Sequence, residues 1–577
     1  MCMEANKLQI QGIFNGSRLL EIPFYQRSYV WGESQWIRFL EDMEYVTAAK
    51  RPYFVGSIIL KAYVGATSEG ISEHRIVIDG QQRLTTFMIF FKVLCMKMGK
   101  SGLFERDFVL ETGDIALEHG RNDVAAFKEA MSASEAVEID LANRPKSQIL
   151  EAYNWFVRNV DPEKVSRDEI KKSIQFVCID LGQDEDEQQI FDTINSLGVQ
   201  LTTAELLKNH LFNRDNVEEY EQHWVTVFEK DDETKAYWDR TVHAGRFERS
   251  LIDLFFDSFL QIQAREPRFE VSAEDRIAFN RNDQLFNSYK TFISKYLHGD
   301  KAGFLAKMKE YAILFRKVFD PLACKRPITG EHDADRMNVV VFGMELLTLV
   351  PYVLYVCHEV GDEGERSRIF ALLESYVMRR IIVRANNRSY GNLFLSFVAN
   401  SATTADELYG RLDDQDDQTA YIPRDDQFGQ LFSETRLTNK VAKGVLYLIE
   451  SAVRPAESST SLLGFDSYSL EHMMPKKWRN NWDGPASGTD EARARDAKLL
   501  TLGNLAIITQ SLNASVRDSA WDKKLSGKNG KPGLKECASG LSTMYDVLSR
   551  GAWAEDGIDE RAGKLCRDAL GVWKLLD

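Results

Sequence analysis

The chain lacks several features that mark secreted, zinc-binding or membrane proteins. Its 7 cysteines form no CxxC pair and no zinc-ligand spacing, and an odd number of cysteines suits reduced thiols. The first ten residues contain no apolar region of a secretory signal. The most apolar run, residues 339–357, is interrupted by Glu345, so we predict buried helices there instead of a membrane span. We therefore expect a cytoplasmic protein.

Basic residues are also outnumbered by acidic residues. The 577 residues include 72 Lys+Arg against 87 Asp+Glu, for a formal net charge of -15. This balance argues against a general nucleic-acid coat protein, because phosphate affinity comes from lysine and arginine, but it is compatible with local DNA contact. The length predicts two to four domains, and a hydrophobic fraction of 44% is typical of a globular chain.

One C-terminal stretch, residues 469–524, concentrates residues suited to metal-dependent phosphodiester hydrolysis. Glu471 and His472 are adjacent, and Asn504 and Asn513 follow nine positions apart. An imidazole can deprotonate water near neutral pH, and a hard divalent cation prefers carboxylate and amide oxygens. We predict His472 as the base, Glu471 and Asn513 as ligands of Mg²⁺ or Mn²⁺, and Asn504 as a support for the imidazole.

A purely structural interpretation of these residues stays open. A histidine at a helix start and two capping asparagines would satisfy only backbone groups. Residues 471–531 also contain 11 Lys+Arg against 7 Asp+Glu. This local excess predicts either contact with DNA phosphates or a solvated surface.

A second candidate centre lies where a predicted strand ends and a helix starts, at residues 79–83 (DGQQR). Such a position offers free amide donors and a dipole that favours anions. Arg27 and Arg83 could clamp a phosphate, Asp79 could hold a metal or a ribose, and Thr85 adds a hydroxyl. No Walker A loop is present, since the Gly-Lys-Ser/Thr ending is missing. The alternative is a buried Asp–Arg pair that stabilises a turn.

Between these centres the pattern is mainly helical. Periodicity predicts a helix over residues 33–49, buried strands from Tyr53 and over residues 174–181, and a strongly helical region over residues 215–434. An acidic loop or hinge is expected over residues 413–427. Four arginines of the helical region could line a DNA path or pair with acidic neighbours: Arg379, Arg380, Arg384 and Arg388.

Together these motifs resemble the GmrSD-type modification-dependent (type IV) restriction enzymes and the related SspE and BrxU anti-phage proteins. The C-terminal EHMMP, GNL and Asn513 with Lys523-Lys524 are similar to the HNH (ββα-metal) nuclease half of that family. The N-terminal IPFYQRSYVW, FVGSIIL and IDGQQRLTT, with a further segment over residues 190–212, are similar to its nucleotide-hydrolysing half. The stretch from Lys476 to Leu502 is longer than in a minimal HNH motif.

The resemblance implies an α+β fold that is predominantly helical. It implies a ParB/sulfiredoxin-like α/β domain over residues 1–215 that hydrolyses nucleotides and senses modified DNA, a helical middle over residues 216–430, and an HNH nuclease embedded in helices over residues 431–577. It adds Lys523 to His472 and Asn504 as a catalytic residue. The nucleotide-binding residues that it implies are Tyr25, Gln26, Arg27, Gly56, Ser57, Asp79, Gly80, Gln81, Gln82, Arg83 and Thr85.

The function implied by the resemblance is anti-phage restriction. The expected partners are double-stranded DNA, in the form of modified phage DNA, and a nucleoside triphosphate, GTP or another. A homodimer and companion defence-system proteins are further partners that it leaves open. Two alternatives also stay open: a nucleotide-gated DNA-binding regulator, and a ParB-like NTPase with a C-terminal module that does not cut.

Overall fold

A computed structural model describes residues 4–24, 26–63, 71–120, 123–138, 147–182, 202–212, 216–244, 247–413, 420–455, 458, 460–528 and 530–576. The chain divides into two compact units, Met1–Tyr220 and Glu221–Asp577. The boundary predicted after residue 215 lies close to this division. The boundary predicted after residue 430 lies inside the second unit.

The first unit is built on a six-stranded mixed sheet in the order β1-β6-β3-β4-β2-β5. Its strands are β1 (Glu4–Gln9), β2 (Arg18–Glu21), β3 (Tyr53–Ala62), β4 (Glu73–Asp79), β5 (Leu117–Glu118) and β6 (Ile174–Leu181). Strands β1 and β6, and strands β3 and β4, pair antiparallel, whereas β3 pairs parallel with β6 and β2 pairs parallel with β4 and β5. The strands predicted from Tyr53 and over residues 174–181 are confirmed.

Helices cover this sheet. They are α1 (Ile10–Ile13), α2 (Glu33–Ala49), α3 (Gln81–Lys97), α4 (Gly102–Phe108), α5 (Val124–Ser132), α6 (Gln148–Asn159), α7 (Arg167–Ser173), α8 (Thr203–Leu211) and α9 (Val217–Tyr220). Helix α3 is apolar nearly all round, and it is buried on nearly all sides within the core of the unit. Because β4 ends at Asp79 and α3 begins at Gln81, the predicted strand-turn-helix is confirmed.

The second unit is mostly helical. Its α-helices are α10 (Asp232–Trp238), α11 (Leu251–Gln263), α12 (Ala273–Phe279), α13 (Leu285–Tyr296), α14 (Lys301–Val318), α15 (Ala334–Asn338), α16 (Val350–Glu359), α17 (Glu363–Ile382), α18 (Tyr390–Ala399), α19 (Ala405–Asp413), α20 (Asp425–Phe432), α21 (Asn439–Val453), α22 (Asp490–Lys498), α23 (Gln510–Val516), α24 (Trp521–Ser526), α25 (Leu534–Cys537), α26 (Tyr545–Leu548) and α27 (Glu555–Val572). Two antiparallel strand pairs complete it: β7 (Thr241–Ala244) with β8 (Phe247–Ser250), and β9 (Tyr468–His472) with β10 (Leu505–Thr509). The predicted α+β class with a predominance of helix is confirmed.

The apolar run over residues 339–357 forms three short helical pieces. These are a π-helix (Val339–Gly343), a 3-10 helix (Leu347–Leu349) and most of α16. Among the residues that the structure describes, no helix is both long and apolar enough to cross a membrane.

Candidate functional site

The C-terminal motif forms two antiparallel strands followed by a helix. In the pairing of β9 with β10, His472 lies opposite Leu505 and Tyr468 lies opposite Thr509. Helix α23 starts directly after β10, where the Thr509 hydroxyl accepts a hydrogen bond from the Leu512 amide. This ββα arrangement brings the end of β9 beside the start of β10 and brings α23 against β9, although the stretch from Lys476 to Leu502 separates β9 from both in the sequence.

Asn513 on α23 reaches back to β9. Its Nδ2 donates to Ser469 Oγ (2.9 Å) and to the Leu470 carbonyl (3.0 Å), whereas its Oδ1 makes no hydrogen bond to the described residues. Ser469 and Glu471 lie on the same face of β9, because side chains alternate along a strand. The side chain of Asn513 therefore reaches the face of β9 from which Glu471 projects.

Glu471 is buried and forms an ion pair with the buried Lys524 of α24. Lys524 Nζ also donates to the His472 carbonyl (2.9 Å). Burial raises the pKa of the Glu471 carboxyl, which the Lys524 ammonium opposes, and burial lowers the pKa of Lys524. Burial thus favours the neutral form of each group, and the charge of the partner opposes that shift.

The prediction chose Lys523, but the structure brings Lys524 to Glu471. Lys523 is exposed on the same helix. Adjacent helical residues project about 100° apart, so only one of two neighbouring lysines can face a given partner. The catalytic role of Lys523 remains a prediction, and Lys524 is the lysine that contacts Glu471.

His472 ends β9 and is half-buried. Burial is the main reason that its pKa falls to about 4, and the positive charges of Lys476 and Lys524 lower it further. The ring is therefore neutral near neutral pH, which is the form that can accept a proton.

Asn504 is fully buried and holds the backbone that follows His472. Its Oδ1 accepts from the Met474 amide (2.8 Å), its Nδ2 donates to the Met474 carbonyl (2.8 Å), and its own carbonyl accepts from the Met473 amide (3.0 Å). The support predicted for Asn504 thus takes the form of contacts with the neighbouring backbone.

The residues present fit a hard divalent cation. Glu471 supplies a carboxylate, and Asn513 supplies an amide oxygen whose nitrogen is already fixed by Ser469 and Leu470. Such a cation would share Glu471 with Lys524. Among the described residues, those of this site included, no group of three or more His, Cys, Asp or Glu side chains has a metal-binding arrangement.

The stretch from Lys476 to Leu502 folds against the terminal helix. Its helix α22 carries Arg495, whose guanidinium contacts Glu555 of α27 (2.5 Å) and the Asp483 carbonyl (2.7 Å). Trp478 donates to Asp496 of the same helix (2.7 Å). The stretch is therefore an ordered part of the second unit.

In the first unit the two N-terminal motifs bind each other directly. Gln26 Nε2 donates to the Val77 carbonyl at the end of β4 (2.6 Å). Gln82 Oε1 accepts from the Val30 amide (2.8 Å), and its Nε2 donates to the Ser28 carbonyl (3.2 Å). The second glutamine of DGQQR thus fixes the segment that carries Arg27.

Asp79 and Arg83 meet across the strand-to-helix turn, with 3.9 Å between Asp79 Oδ2 and Arg83 Nη1. Arg83 Nη1 also donates to the Ser57 carbonyl (2.5 Å). Burial raises the pKa of Asp79, and the charges of Arg83 and Arg27 oppose this shift. Arg83 can lie against β3 because Gly56 has no side chain, and a Cβ there would come within 2.9 Å of Arg83 Nε.

Two buried polar atoms at this turn have no hydrogen-bond partner among the described residues, Gln26 Oε1 and Arg27 Nε. Gly80 adopts a left-handed conformation (φ 99°) at the N-cap of α3. Tyr25 lies outside the described residues, as do residues 190–201 of the segment similar to the family over residues 190–212.

Thr85 lies beneath the turn and is fully buried. Its hydroxyl donates to the Gln81 carbonyl (2.7 Å) and bonds the Nε2 of His119 (3.0 Å). Burial lowers the pKa of His119 to about 3, so its ring is neutral. The contact of His119 with Thr85 was not predicted, because no spacing pattern in the sequence links His119 to the DGQQR motif.

Two of the arginines considered for a DNA path are buried, and a DNA role for them is wrong. Arg379 donates to the carbonyls of Trp573 (2.8 and 2.7 Å) and Pro423 (3.0 Å). Arg380 donates to the carbonyls of Tyr421 and Asn386, both at 2.7 Å. These hydrogen bonds connect α17 to other segments of the second unit.

Comparison with known families covers both sites. Residues 10–212 match the model of the GmrSD restriction endonuclease N-terminal domain, and residues 422–568 match that of the GmrSD restriction endonucleases C-terminal domain. A search of curated proteins found no significant match. The two matched regions contain the DGQQR turn and the ββα motif, respectively.

Proposed function

Since the chain belongs to the GmrSD restriction endonuclease family, we propose that it cuts modified phage DNA at a metal-dependent HNH site. We further propose that its N-terminal unit, with a ParB/sulfiredoxin-like fold, senses the modification and hydrolyses a nucleoside triphosphate, GTP or another. A restriction endonuclease acts on DNA, and the proposal concerns how this one selects and cuts its substrate.

The arrangement of β9, β10 and α23 is the observation that carries the nuclease proposal. It brings Asn513 to the face of β9 from which Glu471 projects, and His472 follows Glu471 at the end of the same strand. His472 would take a proton from water. Glu471 and Asn513 would hold Mg²⁺ or Mn²⁺, which would neutralise charge on the leaving oxygen.

The DGQQR turn supports the nucleotide proposal. Arg27 and Arg83 flank Asp79 at the start of α3, where amide donors and the helix dipole favour a phosphate. Arg27 Nε and Gln26 Oε1 are buried polar atoms that a ligand could satisfy. Asp79 would contact either the ribose or a metal bound to the phosphates.

The test is a cleavage panel with the full chain. Unmodified DNA, hydroxymethylcytosine DNA, glucosylated hydroxymethylcytosine DNA and phosphorothioate DNA are each incubated with Mg²⁺ or Mn²⁺, with and without each nucleoside triphosphate. We expect metal-dependent cleavage of one modified DNA. Binding of modified DNA without cleavage under every condition would instead favour the nucleotide-gated regulator.

Two substitutions separate the sites. His472→Ala should reduce cleavage by about 10²- to 10⁴-fold, the usual contribution of a general base, while nucleotide turnover stays at the wild-type rate. Asp79→Ala should impair nucleotide turnover. Full metal-dependent cleavage by the His472→Ala chain would contradict the HNH assignment.

A further inference from the structure

We propose that Trp553 and Arg561 are positioning residues of the nuclease site, which hold His472 in place by acting through Asn504. Neither residue belongs to the motif, and both follow Asn504 by about fifty residues. The inference rests on the nuclease function proposed above.

Every hydrogen-bonding group of the Asn504 side chain has a partner. Its Nδ2 donates to the carbonyls of Met474 (2.8 Å) and Leu499 (3.0 Å). Its Oδ1 accepts from the Met474 amide (2.8 Å) and from Trp553 Nε1 (3.0 Å). Trp553 therefore completes the hydrogen bonds of the side chain that fixes the backbone directly after His472.

Arg561 of α27 binds the loop that contains Asn504, residues 502–505. Its Nη1 donates to the carbonyls of Leu502 (3.0 Å), Gly503 (3.0 Å) and Leu505 (2.7 Å), which flank Asn504. Burial lowers the pKa of Arg561 to about 10. A buried guanidinium that donates to three carbonyls within four residues fixes the path of that loop.

The loop and α27 are in direct backbone contact. A Cβ at Gly503 would come within 2.2 Å of the Ile558 carbonyl, so only glycine allows this approach. The far end of α27 is also held, because Trp573 Nε1 donates to Glu374 of α17 (2.7 Å) and its carbonyl accepts from Arg379. Helix α27 is thus anchored at one end on the helical region and at the other on the nuclease loop.

Trp553→Phe tests the inference with little risk to the fold. It keeps an aromatic ring against Trp521 (ring centroids 5.5 Å apart in the wild type) and removes the indole N–H together with part of the bicyclic ring. The matched control is Trp482→Phe, which removes an indole N–H donated at the same distance, 3.0 Å, to the Ser519 carbonyl. Arg561→Lys is the second variant, since it keeps the charge but loses the fork of donors.

We expect Trp553→Phe to lower kcat for DNA cleavage about 10- to 100-fold, the usual effect of removing an outer partner of a site. The KM for DNA and nucleotide turnover should stay at wild-type values, and the melting temperature should fall, because the variant loses a buried hydrogen bond and part of a buried ring. Arg561→Lys should show the same loss of kcat, and Trp482→Phe should show none. A wild-type kcat in the Trp553→Phe chain would overturn the inference.

A second readout does not require nuclease activity. The ring resonances of the 9 histidines can be recorded in the full chain after isotope labelling, with His472 assigned from a His472→Gln variant. The His472 resonance should shift in Trp553→Phe and stay in place in Trp482→Phe. If the wild type cleaves no DNA, the nuclease proposal fails, and an unmoved His472 resonance would separately overturn the positioning role.

Discussion

The two candidate sites differ in how far their polar groups are satisfied within the chain. At the DGQQR turn, Gln26 Oε1 and Arg27 Nε are buried without partners among the described residues, and Asp79 and Arg83 are separated by 3.9 Å. At the ββα motif, Asn504 uses every hydrogen-bonding group, and Glu471 is paired with Lys524. The DGQQR turn therefore leaves buried groups that the proposed nucleotide could satisfy, whereas Asn504 and Glu471 at the ββα motif already have partners within the chain.

This difference predicts opposite responses to substitution. Removing a side chain that supports the ββα motif should lower both the stability of the fold and the nuclease activity, because these side chains support one another. Removing a group from the nucleotide turn should affect ligand turnover more than folding.

Lys524→Met should destabilise the second unit strongly. It leaves the buried Glu471 carboxylate without its cation, which typically costs about 3–5 kcal/mol. The matched control is Lys523→Met, since an exposed lysine usually contributes less than about 0.5 kcal/mol. Calorimetric unfolding of the full chain measures both, and equal melting temperatures for the two variants would contradict the assignment of Lys524.

The Lys524→Met deficit should also depend on pH. Burial raises the pKa of Glu471, and the substitution removes the positive charge that opposes this shift. The folded variant then binds the Glu471 proton more tightly than the unfolded chain does, so lowering the pH favours folding. The difference in melting temperature from wild type should therefore shrink between about pH 8 and about pH 5. A difference that grows on acidification would argue against an unpaired Glu471.

Gly56→Ala should impair the nucleotide site. Gly56 has φ 136°, which strains any other residue by about 1–3 kcal/mol, and the new Cβ would push against Arg83 Nε. We expect a higher KM for the nucleoside triphosphate. Gly113→Ala is the control, because Gly113 also has a positive φ (87°) but has open space around its Cα. Equal KM values in the two variants would show that the position of Arg83 does not matter.

Thr85→Val should have the smallest effect. It removes the hydroxyl that bonds Gln81 and His119, which contributes about 1 kcal/mol to stability. Because Thr85 lies beneath the turn, the KM for nucleotide should stay unchanged while the melting temperature falls. A raised KM with unchanged stability would instead restore the predicted direct contact between Thr85 and nucleotide.

Much of the local structure followed from the sequence. Hydrophobic periodicity predicted the helix over residues 33–49 and the buried strands β3 and β6 with good boundaries, because these elements bury one face or both. Segment spacing also placed His472, Asn504 and Asn513 in one motif. Local pattern was insufficient where a residue's role depends on a distant partner, as with His119 and Trp553.

By itself the sequence determined the family, the two motifs and the residue types that their chemistry needs. Tertiary structure alone decided which of two adjacent lysines pairs with Glu471, since helix rotation relative to β9 sets that choice. It also decided that Arg379 and Arg380 are internal, because Arg379 donates to the Trp573 carbonyl and Arg380 to the Tyr421 carbonyl, two distant partners that no composition or spacing reveals. Burial and long-range hydrogen bonds arise only when the chain folds. They determine which side chains are free to take part in chemistry and which ones stabilise the structure around them.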